Sequence, residues 1–233
     1  SRGKKGIIQR MFTGEPLNNL CNVYVYNETS KLWYHEHTIQ GDPNRGGSLT
    51  YPSGTLTSSS QTLSDGITYT TSASIYNGDA FRAFTSGSEW STNDFSNSTN
   101  YYPHNQPSGY SGTWVAGTYV GSNSLGGVSG EWIKMQLSTS AQPDEFKMTP
   151  GGLEFMEPHT WSILGSNDNS NWTNLGNFTN TGNNFGNPIT GTLTISSAYT
   201  YFAIVFTKRR TDYWYTGDEE SIIITTTSLF TTD

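Results

Sequence analysis

The sequence predicts an all-β chain, and three features of it say so. Its polar residues are mainly Ser, Thr, Asn and Gly, and the first three disfavour helix interiors because their side chains compete for nearby backbone. Its larger residues are rich in Tyr, Trp, Thr and Ile, which suit a pleated, half-buried strand. No stretch repeats an apolar i, i+3, i+4, i+7 pattern over three turns, whereas short alternating runs recur between turn residues.

The chain folds rather than remaining disordered. Charged residues make up only 13% of it, yet aromatics reach 14%, with Trp33, Trp90, Trp114, Trp132, Trp161, Trp172 and Trp214 spread over its length. A disordered chain lacks such residues because it cannot bury enough apolar surface to offset chain entropy. Cys21 is the single cysteine, so no internal disulfide supports the fold. No apolar run reaches the roughly 18 residues of a membrane span.

The charge is unevenly distributed. Arg2, Lys4, Lys5 and Arg10 give the first ten residues +4, so the net −7 leaves −11 for the remainder. A body this acidic does not displace counterions from phosphates, and no nucleic acid is expected as a partner.

In chain order, residues 1–20 read as a basic arm with no apolar period, suited to docking on an acidic partner. Residues 21–40 read as a β-hairpin, with Cys21 to Tyr26 and Lys31 to Ile39 flanking the turn Asn27-Glu-Thr-Ser30. Two isolated strands are marginal in water, so this pair should lie on something larger or on a partner. Residues 41–66 are rich in Gly, Ser, Thr and Pro and read as a linker or an extended surface-hugging segment. From 67 to 230 the strand assignments are Ile67–Ser74, Glu131–Leu137, Thr160–Gly165, Thr190–Ile195, Tyr201–Thr207 and Ser221–Phe230, the spacing of a sandwich or barrel. Within Glu131–Leu137, Ile133, Met135 and Leu137 alternate with Trp132, Lys134 and Gln136, which gives one core face and one outer face. Ile133, Leu137, Ile163, Ile204 and Phe206 are expected to be inaccessible, and Trp161 and Trp172 to lie in the core.

Four segments carry a family resemblance. They are Thr71-Ser-Ala-Ser-Ile-Tyr-Asn-Gly78 with Ala80-Phe-Arg-Ala-Phe84 and Trp90; Gly130-Glu-Trp-Ile-Lys-Met-Gln-Leu137; Pro158 to Thr173, which contains the turn Gly165-Ser-Asn-Asp-Asn; and Tyr201-Phe-Ala-Ile-Val-Phe-Thr-Lys208. In this order they resemble the discoidin family, also called the coagulation factor 5/8 C-terminal type. The resemblance implies a jelly-roll β-sandwich similar to galactose-binding domains. The wording of these segments is also similar to surface or capsid-associated proteins of large algal DNA viruses, which implies a virion or extracellular surface location.

The resemblance implies binding rather than catalysis. His35, His37, His104 and His159 are scattered, and no serine sits in a Gly-x-Ser-x-Gly elbow, so no enzyme is expected. A fragment of a carbohydrate-active enzyme is the remote alternative, because sequence does not show whether two carboxylates meet as glycosidases require. On a strand, His35 and His37 point the same way, as two metal ligands would. A closed zinc site needs more ligands, the only nearby thiol is Cys21, and two surface histidines are the simpler reading. Many discoidin domains hold calcium in the loop after an aspartate that is Thr85 here. No cofactor is therefore expected, and Glu89 and Glu220 are the candidate ligands if a calcium site exists.

In the family, ligands bind at loops gathered at one end of the sandwich. Two regions have suitable chemistry here. One runs from Trp90 to Trp114 and includes Tyr101, Tyr102 and His104; the other holds Arg209, Arg210, Tyr213 and Trp214. Aromatic faces stack on sugar C–H surfaces, and the same residue types anchor protein interfaces. The leading expectation is a structural or interaction module that docks to other proteins of an assembly through its arm and residues 1 to about 60, as a minor capsid or fibre component would. The alternative is a lectin-like attachment module that binds glycans. Asn27, Asn97, Asn171 and Asn177 begin glycosylation sequons, which a secretory route would expose to modification.

Overall fold

The computed structural model describes residues 20–27, 32–40, 49–75, 77–84, 90–91, 114–115, 117–151, 157–182, 184, 186–210 and 222–231. The chain divides into two compact units, residues 1–48 and the body Leu49–Thr232. In the first unit, β1 (Leu20–Asn27) and β2 (Leu32–Gln40) form an antiparallel sheet of their own. Their register runs from Leu20↔Gln40 to Asn27↔Leu32 and shifts between Val23 and Tyr24, which face His37 and His35. Glu36 is thus left without a cross-strand partner.

The body is a β-sandwich. It begins with β3 (Thr50–Tyr51), β4 (Ser60–Thr62) and β5 (Thr68–Ala73), then a 3₁₀ helix, Asn77–Phe84. Four two-residue strands follow: β6 (Trp90–Ser91), β7 (Trp114–Val115), β8 (Thr118–Tyr119) and β9 (Ser124–Leu125). Next come β10 (Val128–Ser129), β11 (Glu131–Ala141), β12 (Glu145–Pro150), β13 (Pro158–Ser166) and β14 (Thr173–Thr179). The last three are β15 (Ile189–Thr192), β16 (Tyr199–Arg209) and β17 (Ile223–Phe230).

One sheet has the order β14-β13-β16-β11-β5-β4, and the other β15-β12-β17-β3. From β11 onward the chain crosses between sheets at every step except the β13–β14 hairpin, in the jelly-roll manner. Residues of period two fill the space between the sheets. On β11, Ile133, Met135 and Leu137 are buried while Trp132, Lys134 and Gln136 are only partly covered. Ile163, Ile204 and Phe206 are buried with them, as the alternation predicts. Trp161 packs edge-on against Phe146 and stacks with Phe178 in the same core.

Trp172 differs from its expectation. It lies half-buried on the outer face, where Leu164, Ala203 and Val205 form a second, smaller cluster beneath Leu125, Val128, Trp132 and Trp172. The β9–β10 hairpin covers that cluster. Gly126, at φ 58°, lies so close that a Cβ there would meet Trp172 Cβ at 2.7 Å. Only glycine combines that backbone with that approach.

The expected linker also needs correction. From Leu49 to Gly66 the chain belongs to the sandwich: β3 pairs with β17, β4 pairs with β5, and Leu56 and Tyr51 are buried in the core. Its hydroxyls are used locally, as Thr62 to Thr68 (2.8 Å) and Ser60 to Thr70 (3.2 Å) across the β4–β5 ladder. Residues 41–48 lie outside the described residues.

Candidate loop-end binding site

Strand register places several connections at one end of the body. There, Pro158 pairs with Arg209, Lys208 with Thr118, Pro150 with Ile224, and Ile223 and Ile224 with Ser91 and Trp90. These are the residues from which segments 92–113, 152–156 and 211–221 depart and to which they return. The opposite end is closed by tight links, such as the three residues between Ala141 and Glu145.

Of the residues expected to contact a ligand, Tyr101, Tyr102, His104, Tyr213 and Trp214 lie outside the described residues. So do the calcium candidates Glu89 and Glu220, along with Thr85, and the docking residues Arg2, Lys4, Lys5 and Arg10. Trp90 contributes its backbone pairing with Ile224. Two others are corrected. Trp114 is 1% exposed and sits edge-on to Tyr119 at 5.1 Å, which makes it part of the core rather than a stacking surface. Arg210 is buried, and its guanidinium is used inside the protein. Arg209 ends β16 half-buried, with its N–H donated to Gly117 O at 2.8 Å.

Arg210 Nη1 donates to Glu157 Oε2 at 3.2 Å and to the carbonyl of Gly182. Glu157 Oε2 also accepts from Asn180 Nδ2 at 3.1 Å, and its Oε1 accepts the N–H of Asn184 at 3.0 Å. Asn180 Oδ1 in turn receives Asn184 Nδ2 (2.6 Å) and the Gly182 N–H (3.1 Å). His159 Nδ1 donates to Asn180 O at 2.8 Å. This polar cluster joins the start of β13, the connection after β14 and the end of β16.

A second buried carboxylate, Glu131, lies at the start of β11. Its Oε2 accepts the Ser74 hydroxyl at 2.5 Å and Asn123 Nδ2 at 3.0 Å. Ser74 Oγ also accepts the Trp132 N–H at 2.8 Å, and Tyr119 Oη accepts the Asn123 N–H at 2.9 Å. Burial pushes the Tyr119 hydroxyl pKa up, and the Glu131 charge adds to that shift. Among the described residues, no group of three or more His, Cys, Asp or Glu stands ready for a metal. Neither is any helix among them long and apolar enough to cross a membrane.

None of Glu157, Asn180, Asn184, Glu131, Ser74 and Asn123 was expected at a site. The signal near them is the family resemblance: Ser74 and Glu131 lie within two of the segments that carry it, and Glu157 stands one residue before the segment that begins at Pro158.

No family model and no curated protein matches this sequence. Solved structures do overlap with it. The CBM32 of AlyQ, in complex with 4,5-unsaturated mannuronic acid, is 13% identical with a TM-score of 0.45, covering 70% of this chain and 94% of that one. The family 32 carbohydrate-binding module of NanJ from C. perfringens, in complex with galactose, is 15% identical with a TM-score of 0.43, covering 70% and 93%. Chitosan-binding module 1 of a chitosanase/glucanase from Paenibacillus sp. IK-5 is 21% identical with a TM-score of 0.40, covering 69% and 92%. It is the strand pairing of this chain, rather than these overlaps, that makes it a sandwich.

Proposed function

We propose that the body is a non-catalytic module that binds a carbohydrate at the loop-bearing end of its sandwich. One observation supports this reading above others. The described residues flanking segments 92–113 and 211–221 converge at that end, and these segments carry Tyr101, Tyr102, His104, Tyr213 and Trp214. Aromatic residues accompanied by a few polar groups suit the alternating C–H and O–H surfaces of a sugar ring. The discoidin-like segments support the same end. Arg210 is excluded as a contact because its charge is already neutralised by Glu157.

The full chain should bind at least one oligosaccharide class on a glycan array, and the double substitution Tyr213→Ala/Trp214→Ala should abolish that binding without lowering thermal stability. A chain that binds no glycan, or a double variant that binds as before, would overturn the reading.

Docking within a protein assembly is the second reading. Within the unit of residues 1–48, β1 and β2 pair with each other. Both strands of such a ribbon are edges, which suits addition to a partner sheet. With Arg2, Lys4, Lys5 and Arg10 ahead of it, that partner would be acidic. If the array stays blank, this reading takes over.

A further inference from the structure

The Glu157–Arg210 pair is a costly device. The two side chains are 0% and 8% exposed, and both ions are removed from water. Mutual attraction of such a pair roughly repays that desolvation, and apolar residues of similar volume often serve stability equally well. Stability alone therefore gives no reason for the pair, whereas its connectivity does. Arg210 reaches both the start of β13 and the Gly182 carbonyl, and Glu157 reaches Asn180, Asn184 and the Arg210 N–H (3.0 Å to its own carbonyl). Few of these bonds lie within one element; they cross between three neighbouring connections at the loop end.

We infer that Glu157 and Arg210 are positioning residues, which set where Asn180, Gly182 and Asn184 stand against the ends of β13 and β16, at the end of the body proposed above to bind. This rests on the proposed reading for the role of that end, but its test needs no ligand. The Asn180 side chain transmits the effect: it is held by Glu157 through Nδ2 and holds Gly182 and Asn184 through Oδ1. Gly182 is the informative amide, because its own acceptor is untouched by a change at 157 or 210.

Two variants of the full chain separate positioning from stability. Arg210→Met alone leaves a buried, unpaired carboxylate and should lower the melting temperature by about 10 °C. Glu157→Leu with Arg210→Met removes both charges, leaves only neutral groups without their partners, and should recover about half of that loss. In that double variant, hydrogen exchange at Gly182 and Asn184 should accelerate by about tenfold or more, while Ile133, Ile163 and Ile204 keep their rates. A double variant that melts as low as Arg210→Met would make the pair a stabiliser of the whole fold and overturn the inference. Unchanged exchange at Gly182 would overturn it equally, because another contact would then hold the connection. If Arg210→Met does not fold, the double variant decides alone. If exchange behaves as stated but no glycan binds, the positioning stands and the carbohydrate reading falls.

Discussion

Glu157 and Glu131 are both shut off from solvent at the same end of the sandwich, at 0% and 3% exposure, yet they are held by opposite means. Glu157 faces a guanidinium and uses both carboxylate oxygens as acceptors. Glu131 has no cationic partner among the described residues; a hydroxyl and an amide share its Oε2. A buried charge needs either a counter-charge or hydrogen bonds that replace its hydration. The two sites show both answers in one molecule. The first ties chain connections together, and the second joins the end of β5 to the start of β11.

The largest expected effect breaks the first arrangement by removing its cation. Arg210→Met should cost about 3–5 kcal/mol of unfolding free energy, because it leaves Glu157 charged, buried and unpaired. Chemical denaturation measures it. A loss below about 1 kcal/mol would mean that Asn180 and Asn184 suffice, and the contrast with Glu131 would collapse.

The next test sharpens the comparison by applying one chemical change to both sites. Glu157→Gln turns one acceptor oxygen into a donor facing the Asn184 N–H or the Arg210 guanidinium, and should cost about 2–3 kcal/mol. Glu131→Gln can keep its carbonyl at the Oε2 position, where Ser74 and Asn123 both donate, and removes a charge that has no counter-charge among the described residues. It should change stability by about 1 kcal/mol or less, in either direction. Equal losses at the two sites would show that buried charge, rather than acceptor count, governs both.

This contrast also explains what could be read in the sequence. The alternation of Ile133, Met135 and Leu137 exposes the core face of β11 directly, because burial there depends on period alone. Arg210 carried no such mark. It follows Lys208 and Arg209 in a basic run next to loop aromatics, and its partner lies 53 residues away across a jelly-roll crossing. Trp114 failed for a related reason: a tryptophan beside Ser, Gly and Tyr looks like a loop residue until β7 and β8 turn it inward against Tyr119. Residues 49–66 looked like a linker by composition, yet the β3–β17 and β4–β5 ladders, hydroxyl pairs across the second, and the buried side chains of Tyr51 and Leu56 bind them to the body. Composition reports solubility well, but it does not report which hydroxyls have found partners.

The smallest expected effect concerns a carboxylate that is not buried, and it tests whether hydrogen bonds alone hold a charge as they do at Glu131. Asp168 sits in the exposed turn between β13 and β14. It accepts the Asn171 N–H (2.7 Å), the Asn171 side-chain amide (2.6 Å), the Ser170 N–H (2.9 Å) and the Ser166 hydroxyl (3.1 Å). These donors, led by the Asn171 N–H, hold its carboxyl well below the ordinary value of 3.8. A carboxyl with a pKa depressed by folding favours the folded state when ionised. Its contribution is therefore complete above the unfolded value near 3.8 and is lost progressively as pH falls from there through the depressed folded value. Asp168→Asn should accordingly lower the denaturation midpoint slightly at neutral pH. The gap between variant and unaltered chain should then narrow progressively on acidification from about pH 5 to about pH 2. Midpoints that stay equally spaced across that range would show that the turn's donors do not distinguish the ionised carboxylate from a neutral amide, and that the hydrogen bonds at Glu131 are no guide to what holds its charge.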